Sequence, residues 1–560
     1  MLMSLTRLPL TLPNPADAGY QGNRFIPSYA FPRGWLMFYL KDAIDDVVRG
    51  VFRASPLVLI DVKSGRLCDG TERSRTFESE GQFQELVSSL TEELDDRRIQ
   101  RVVEEYFQYV MLSHVWNGKE PLFQDVNRVG SVWKLDSSPP NEKLRNFCEV
   151  VSKEGYRWAW SDTCCIDKTI STVLNQSLKM MYKWYEASTA TYVYLADVDS
   201  PSTLGELTDS KWMTRAWTEQ ELLAPKVIHF YTRGWKSYIG DNRPNHKESP
   251  KIMQELADAI KIARETIIAF NPDDLSVREK LRLASNRNAT VEEDVAYALI
   301  GIFQSDIHPD YGEGYAALGH LLEEIVVRSG DVTVLAWIGE SSQYNSCLPA
   351  TLAVYSQPPS TFSAIKEAQM DGRVATLKRQ LSQTDILPFY EQVVSLPPAS
   401  AGHRRLHLPC IIFVVQRLGI QGWGDGQEIR YRAEVSGIGH VEFETSDKLS
   451  LTEPRKLIFV HPWIRDLLDP PDGFKISLAR KAEDDGSSPL SAAPAPTMDD
   501  YTRALRLVAR LQQPFHALLL QQQTTREFKR IAAKDYILVP RIEPNINFVM
   551  DVRTRVLDIL

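Results

Sequence analysis

Residues 105–240 predict an α/β domain with a mainly parallel sheet flanked by helices, and two observations carry that expectation. Short apolar runs suited to buried strands recur at 109–115, 157–163, 191–195 and 227–231. Between them lie segments of helical spacing at 141–154, 172–187 and 215–224, the last ended by Pro225. In 172–187 the residues Leu174, Leu178, Met181 and Tyr185 fall on one helical face. Strand and helix in strict turn is the pattern of βαβ units, whose strands pair in parallel.

The flanking regions read differently. Residues 1–50 are poorly patterned, with many Pro and Gly. Segment 56–67 reads as a hairpin, because an apolar run meets the turn chemistry of Lys63-Ser64-Gly65. Segment 83–101 looks like an exposed amphipathic helix. Residues 245–335 look helical, and Thr290-Val-Glu-Glu293 reads as a capping box opening the apolar stretch 295–303. Beyond 335 the pattern becomes β-rich, with strand candidates at 411–416, 429–435, 440–443, 456–460, 535–539 and 545–550. Segment 483–497 has the composition of a linker or long loop. The expected organisation is therefore an N-terminal region (1–104), the α/β domain (105–240), a helical extension (241–335) and a β-rich C-terminal region (336–560).

Composition excludes several classes. The net charge of −9, with no basic stripe, argues against a nucleic-acid partner. The six cysteines form no C-x-x-C pair, which argues against a disulfide scaffold or a structural zinc site and for a reducing, cytoplasmic compartment. His403 and His407 lie beside Pro409 and a basic pair and are not read as metal ligands. No window approaches the length of a membrane span, and the N-terminus lacks the pattern of a cleaved signal. A soluble chain is expected, with no metal and no required cofactor.

Ligands of open parallel sheets sit beyond the carboxyl ends of the strands. The first two strands end near Ser113-His114 and Asp162, which are therefore candidates to line a pocket. Ser113 could meet phosphate; the plainer reading is a loop hydroxyl beside a satisfied histidine. Asp162 and Asp167 could orient a ribose, or could bond to loop amides and cap the next helix. Cys165 is read as a small buried hydrophobe rather than a nucleophile.

Three motifs in this region resemble the signatures of the fungal heterokaryon-incompatibility (HET) domain family. Leu112-Ser113-His114-Val115-Trp116 resembles its opening motif. Trp160-Ser161-Asp162-Thr163-Cys164-Cys165-Ile166-Asp167 resembles its W-x-D-x-x-C-I-D motif. Arg215-Ala216-Trp217-Thr218-Glu219-Gln220-Glu221-Leu222 resembles its R-(G/A)-W-T-x-Q-E-L motif. Residues 287–314 are similar to the helical extension that follows many such domains. The resemblance spans roughly residues 55–340. Lys168, Val173, Gln176, Asn117 and Glu219 depart from the usual pattern.

The resemblance implies a role in non-self recognition and programmed cell death, with self-association and other incompatibility proteins as partners. It also implies a fold similar to Toll/interleukin-receptor (TIR) domains, some of which cleave NAD⁺ between nicotinamide and ribose. Their catalytic carboxylate follows a tryptophan at the spacing of Trp217 and Glu221, so Glu221 is the candidate catalytic residue. Ser113, His114, Trp116, Asp162, Arg215 and Trp217 are the candidate NAD⁺ pocket. Arg215 could bind phosphate or pair with an acid such as Asp162. Two readings stand side by side: an NAD⁺ glycohydrolase, or a non-enzymatic signalling adaptor in which these motifs are scaffold. For Glu221 the scaffold reading is concrete, since Thr218-x-x-Glu221 fits a capping box.

Overall fold

A computed structural model of the chain describes residues 33–89, 95–357, 365–424, 428–463, 499–539 and 553–560. The 483–497 linker and the 545–550 strand candidate lie outside these residues. The fold is mixed α/β. By its contacts the chain divides into two compact units, one formed by residues 1–112, 116–169 and 187–190, the other by 113–115, 170–186 and 191–560.

The first unit opens with helix α1 (Arg33–Ala54), in a stretch whose sequence showed no clear pattern. The expected hairpin follows as β1 (Val58–Asp61) and β2 (Arg66–Asp69), paired antiparallel with Val58 opposite Asp69. Its turn needs Gly65, which has φ +72°, and a Cβ there would meet Ser131 Oγ at 2.2 Å. Next come α2 (Gly70–Ser79), α3 (Gly81–Ser89) and α4 (Asp96–Tyr106), so the single helix expected at 83–101 is two. Strand β3 (Tyr109–His114) is buried along its whole length. Helices α5 (Phe123–Val129) and α6 (Pro139–Lys153) lead to β4 (Trp158–Trp160). Strand β4 pairs in parallel with β3 and antiparallel with β1, so the hairpin adds an antiparallel edge to the parallel pair. Arg157 beside β4 reaches Asp61 of β1 at 3.1 Å.

In the second unit α7 (Ser171–Ala187) precedes β5 (Ala190–Tyr194), helix α8 (Thr218–Leu223) and β6 (Ile228–Tyr231). Strands β5 and β6 are parallel, with Thr191 opposite Ile228. The helical extension is α9 (Pro250–Ile260), α10 (Arg264–Ile268), α11 (Val277–Ala284), α12 (Asp294–Tyr297), α13 (Ile300–Phe303) and α14 (Ala316–Ser329).

The β-rich region contains β7 (Ser400–Gly402), β8 (Arg405–Trp423), β9 (Ile429–Val435), β10 (Gly439–Thr445), β11 (Leu457–Pro462), β12 (Phe515–Gln522), β13 (Glu527–Arg530), β14 (Ile537–Val539) and β15 (Arg553–Ile559). Strands β8, β11, β12, β13 and β15 pair in succession, and β15 returns to β8, closing a five-stranded ring. Closure pairs much of these strands on both sides, which reduces the open edge to be covered. Helices α15 (Glu367–Lys378), α16 (Gln383–Val394) and α17 (Asp500–Leu511) share a core with this sheet through residues such as Met370, Phe389, Leu507 and Phe459. They lie in a region that the sequence suggested would be mainly strands. Among the described residues no helix is long and apolar enough to cross a membrane.

Helices α7 and α13 approach closely at Gly301, where a Cβ would come within 2.1 Å of Tyr182 Cβ. Gly301→Ala should destabilise the protein by about 1–3 kcal/mol through overpacking, outweighing the roughly 1 kcal/mol that Ala gains in helix propensity. Urea unfolding measures this, and an unchanged or raised midpoint would show that the two helices reseat freely.

Candidate functional site

Helix α8 carries the third motif and is only six residues long. A helix this short has little stability of its own, so its place is set by neighbours. The hydroxyl of Thr218 donates to the carbonyls of Trp212 (2.6 Å) and Arg215 (2.9 Å). No side chain caps the helix start, so the capping box that Thr218 and Glu221 could have formed is absent. The Glu221 carboxylate instead accepts a short hydrogen bond from the Ser113 hydroxyl at the end of β3. Ser113 Oγ in turn accepts from Trp212 Nε1 at 2.7 Å. Both Ser113 and Glu221 are buried. Trp212 was not singled out from the sequence, because nothing in its spacing ties it to a serine 99 positions earlier.

Buried cations hold both ends of α8. The Arg287 guanidinium donates to Arg215 O (3.0 Å) and Thr218 Oγ1 (2.9 Å), and its Nε lies 3.4 Å from Glu219 Oε2. Lys247 Nζ donates to Leu223 O at 3.2 Å, and burial pushes its pKa down to about 7. Glu219 is also fully buried, and neither of its oxygens has a hydrogen-bond partner. Burial pushes its carboxyl up to about 7, against the pull of Arg287.

The extension's motif residues join the same network. Backbone bonds run from Ala216 N to Asn288 O (2.9 Å) and from Asn288 N to Thr214 O (2.7 Å). Arg215 donates to Thr290 Oγ1 at 2.9 Å. Asp294 accepts from Tyr311 (2.7 Å) and from the half-buried Trp217. Glu293 does not complete a capping box with Thr290. Helix α12 starts at Asp294 without a side-chain cap, and Glu293 Oε1 accepts from the amides of Gly312 (2.8 Å) and Gly314 (3.0 Å). These amides outweigh the cost of burial and hold its pKa below the usual range. Gly312 (φ +110°) and Gly314 (φ +56°) are turn glycines.

In the first unit, Trp116 is 42% exposed and its Nε1 donates to Asp162 Oδ2 at 2.9 Å. Lys168 Nζ sits 3.8 Å from the centre of the same indole and 4.0 Å from Asp162. The loop after Trp116 is anchored by Glu120, which accepts from Asn117 N (2.8 Å) and from buried Lys143 Nζ (2.6 Å). Neither Glu120 nor Lys143 carries a sequence signal, since they pair across 23 positions with no period to reveal it. Asp167 accepts from Thr169 N (3.0 Å) and Gln124 Nε2 (2.7 Å), a loop-bracing role. His114 is buried. Cys164 and Cys165 are buried free thiols, and the amide of Ser161 donates to Cys165 Sγ at 3.4 Å.

The raised pKa of Glu219 has a thermodynamic consequence. Between about 4.5, its ordinary value, and about 7, folded protein keeps a proton that the unfolded chain has released. Stability contributed by this group is therefore present at low pH and lost as pH rises through that window. In Glu219→Gln the fall in urea midpoint between pH 5 and pH 8 should shrink, by the equivalent of a few kcal/mol. An identical pH dependence in variant and parent would show that Glu219 ionises normally.

Residues 109–205 match the family model described as Heterokaryon incompatibility protein (HET). Over 228 residues the chain is 35% identical to the vegetative incompatibility protein HET-E-1 of Podospora anserina. That match covers 39% of this chain and 16% of HET-E-1, so the chain corresponds to a small part of that relative. No solved structure matches. The 109–205 segment is thus similar to the HET family model, and the chain is similar over part of its length to HET-E-1.

Proposed function

We propose that the chain is a heterokaryon-incompatibility effector that cleaves NAD⁺ at the nicotinamide–ribose bond, with Glu221 as its catalytic carboxylate in a TIR-like domain. The observation that carries this reading is the Ser113–Glu221 bond. Glu221 is not used to cap its own helix; a hydroxyl from a strand end, itself fixed by Trp212, holds it in place. Glycosidic cleavage passes through a cation-like ribosyl centre, and a preorganised carboxylate stabilises that charge better than mobile water. The C–N bond breaks with its electron pair leaving on nicotinamide. Water supplies the new oxygen at the ribose carbon, and its proton passes to solvent.

Ser113 is the positioning residue for Glu221. His114, adjacent to Ser113, and Trp217, four positions before Glu221, are the candidate pocket residues nearest in sequence. Arg215 offers a cation for phosphate. Self-association, and assembly with other incompatibility proteins, supply the cell-death signal in this reading.

A second reading is favoured by a different observation. Arg215, Trp217, Arg287, Glu293 and Asp294 all direct polar groups at one another or at nearby backbone. A network satisfied in this way serves equally as the scaffold of a signalling adaptor. NAD⁺ consumption by the purified full-length chain, concentrated enough to self-associate, separates the two. The enzyme reading expects NAD⁺ loss by the parent and a drop of about a hundredfold or more in Glu221→Gln. Ser113→Ala should lower kcat with little change in KM, because the carboxylate loses its orientation. Unchanged consumption in Glu221→Gln, or none in a parent shown to assemble by light scattering, would leave the adaptor.

A further inference from the structure

The second unit contains a cavity of about 530 Å³, far along the chain from the motifs above. Its wall is formed by segment 332–338, the start of α15, strands β11 and β12, and segment 530–537. The volume lies within the roughly 300–1,000 Å³ of small-molecule sites. Most of the wall is aromatic or aliphatic, with Trp337, Phe515, Tyr536 and Ile531 among its members.

Two cations lie among its polar members, Arg510 and the more deeply buried Arg530. Arg530 is 7% exposed, and its guanidinium lies 3.7 Å from the centre of the Trp337 ring. It donates to the carbonyls of Leu335 (2.8 Å), Trp337 (2.8 Å) and Cys347 (3.3 Å). Among the described residues no carboxylate acts on its charge, and burial lowers its pKa to about 10. A cation that faces carbonyl dipoles and an indole, rather than a carboxylate, in a low-dielectric wall retains a strong attraction for an anion. The acids in the lining, Glu367 and Asp535, are exposed, and Glu367 is already paired with Arg506. His461, also in the wall, has Nδ1 2.8 Å from Pro462 O and its ring 4.5 Å from that of Phe515. Burial lowers its pKa, so it stays neutral and adds no competing charge.

We propose that this cavity binds a flat, largely apolar small molecule bearing one anionic group, with its ring against the aromatic wall and its anion drawn to Arg530. The probe is 1-anilinonaphthalene-8-sulfonate, compared with its uncharged relative N-phenyl-1-naphthylamine, titrated by fluorescence into the folded full-length chain. One saturable site per chain is expected, at least about tenfold tighter for the sulfonate. Ala533→Phe, which fills the cavity, should remove that site while near-UV circular dichroism stays unchanged. Arg530→Met should bring the two probes to parity. Because Arg530 also ties three carbonyls, that variant can fail to fold; the two-probe comparison on the unaltered chain then decides the role of charge alone. Equal affinity for both probes, no saturable site, or a sulfonate site untouched by filling the cavity would each overturn the proposal.

Discussion

Arg287 is the tie on which the geometry around Glu221 depends. It is a buried guanidinium that reaches the carbonyl before α8, the hydroxyl inside its first turn and the carboxylate of Glu219. A helix of six residues cannot hold its own position by propensity. The planar fork of an arginine donates to two oxygens at fixed angles while its charge faces the Glu219 carboxylate, which a lysine could not do. Lys247 closes the other end of the helix, where free carbonyls attract a cation. Glu221 is thus presented to Ser113 by charges that lie 66 positions downstream in one case and 26 in the other, as the numbering of the chain shows.

This arrangement changes how the family motifs read. The segment around Arg215–Leu222 and the segment that begins at Arg287 look like separate signatures along the chain. In space they are one construction: their backbones bond at Ala216 and Asn288, and their side chains interlock at Arg215–Thr290 and Trp217–Asp294. Glu293 then draws in the Gly312–Gly314 turn through its amides. In this chain much of what these positions do is mutual hydrogen bonding. Glu221 differs from them, because its partner Ser113 comes from a strand end of the sheet rather than from the extension.

The C-terminal region is joined to the helical extension by a comparable device. Arg530 of β13 donates to carbonyls on both sides of the 335–347 connection, and Asn345 Nδ2 donates to Ile559 O at 2.8 Å. Arg287 and Arg530 are therefore both buried fasteners between segments that are remote in sequence. In one place the guanidinium faces a carboxylate and in the other it faces carbonyls and an indole. The difference leaves the second with the greater residual attraction for an anion.

The periodicity of the chain by itself determined the α/β character of residues 109–231, the hairpin at 58–69, the helical extension and several strands of the C-terminal sheet. Those features depend on which face of a local element is apolar, and that is written in local spacing. Strand-end position marked Ser113, and the resemblance of the 215–222 motif marked Glu221, as residues of interest. Only the tertiary structure decided that they bond to each other, that Trp212 completes the set, and that Thr218 and Glu293 leave their apparent capping boxes for partners elsewhere. Local pattern cannot settle such a choice, because a hydroxyl or carboxylate near a helix start has both a local amide and distant donors to choose from. The outcome depends on which of them burial deprives of water. The helices α15, α16 and α17 went unread for a related reason: their apolar faces are interpretable only once the sheet they cover has formed.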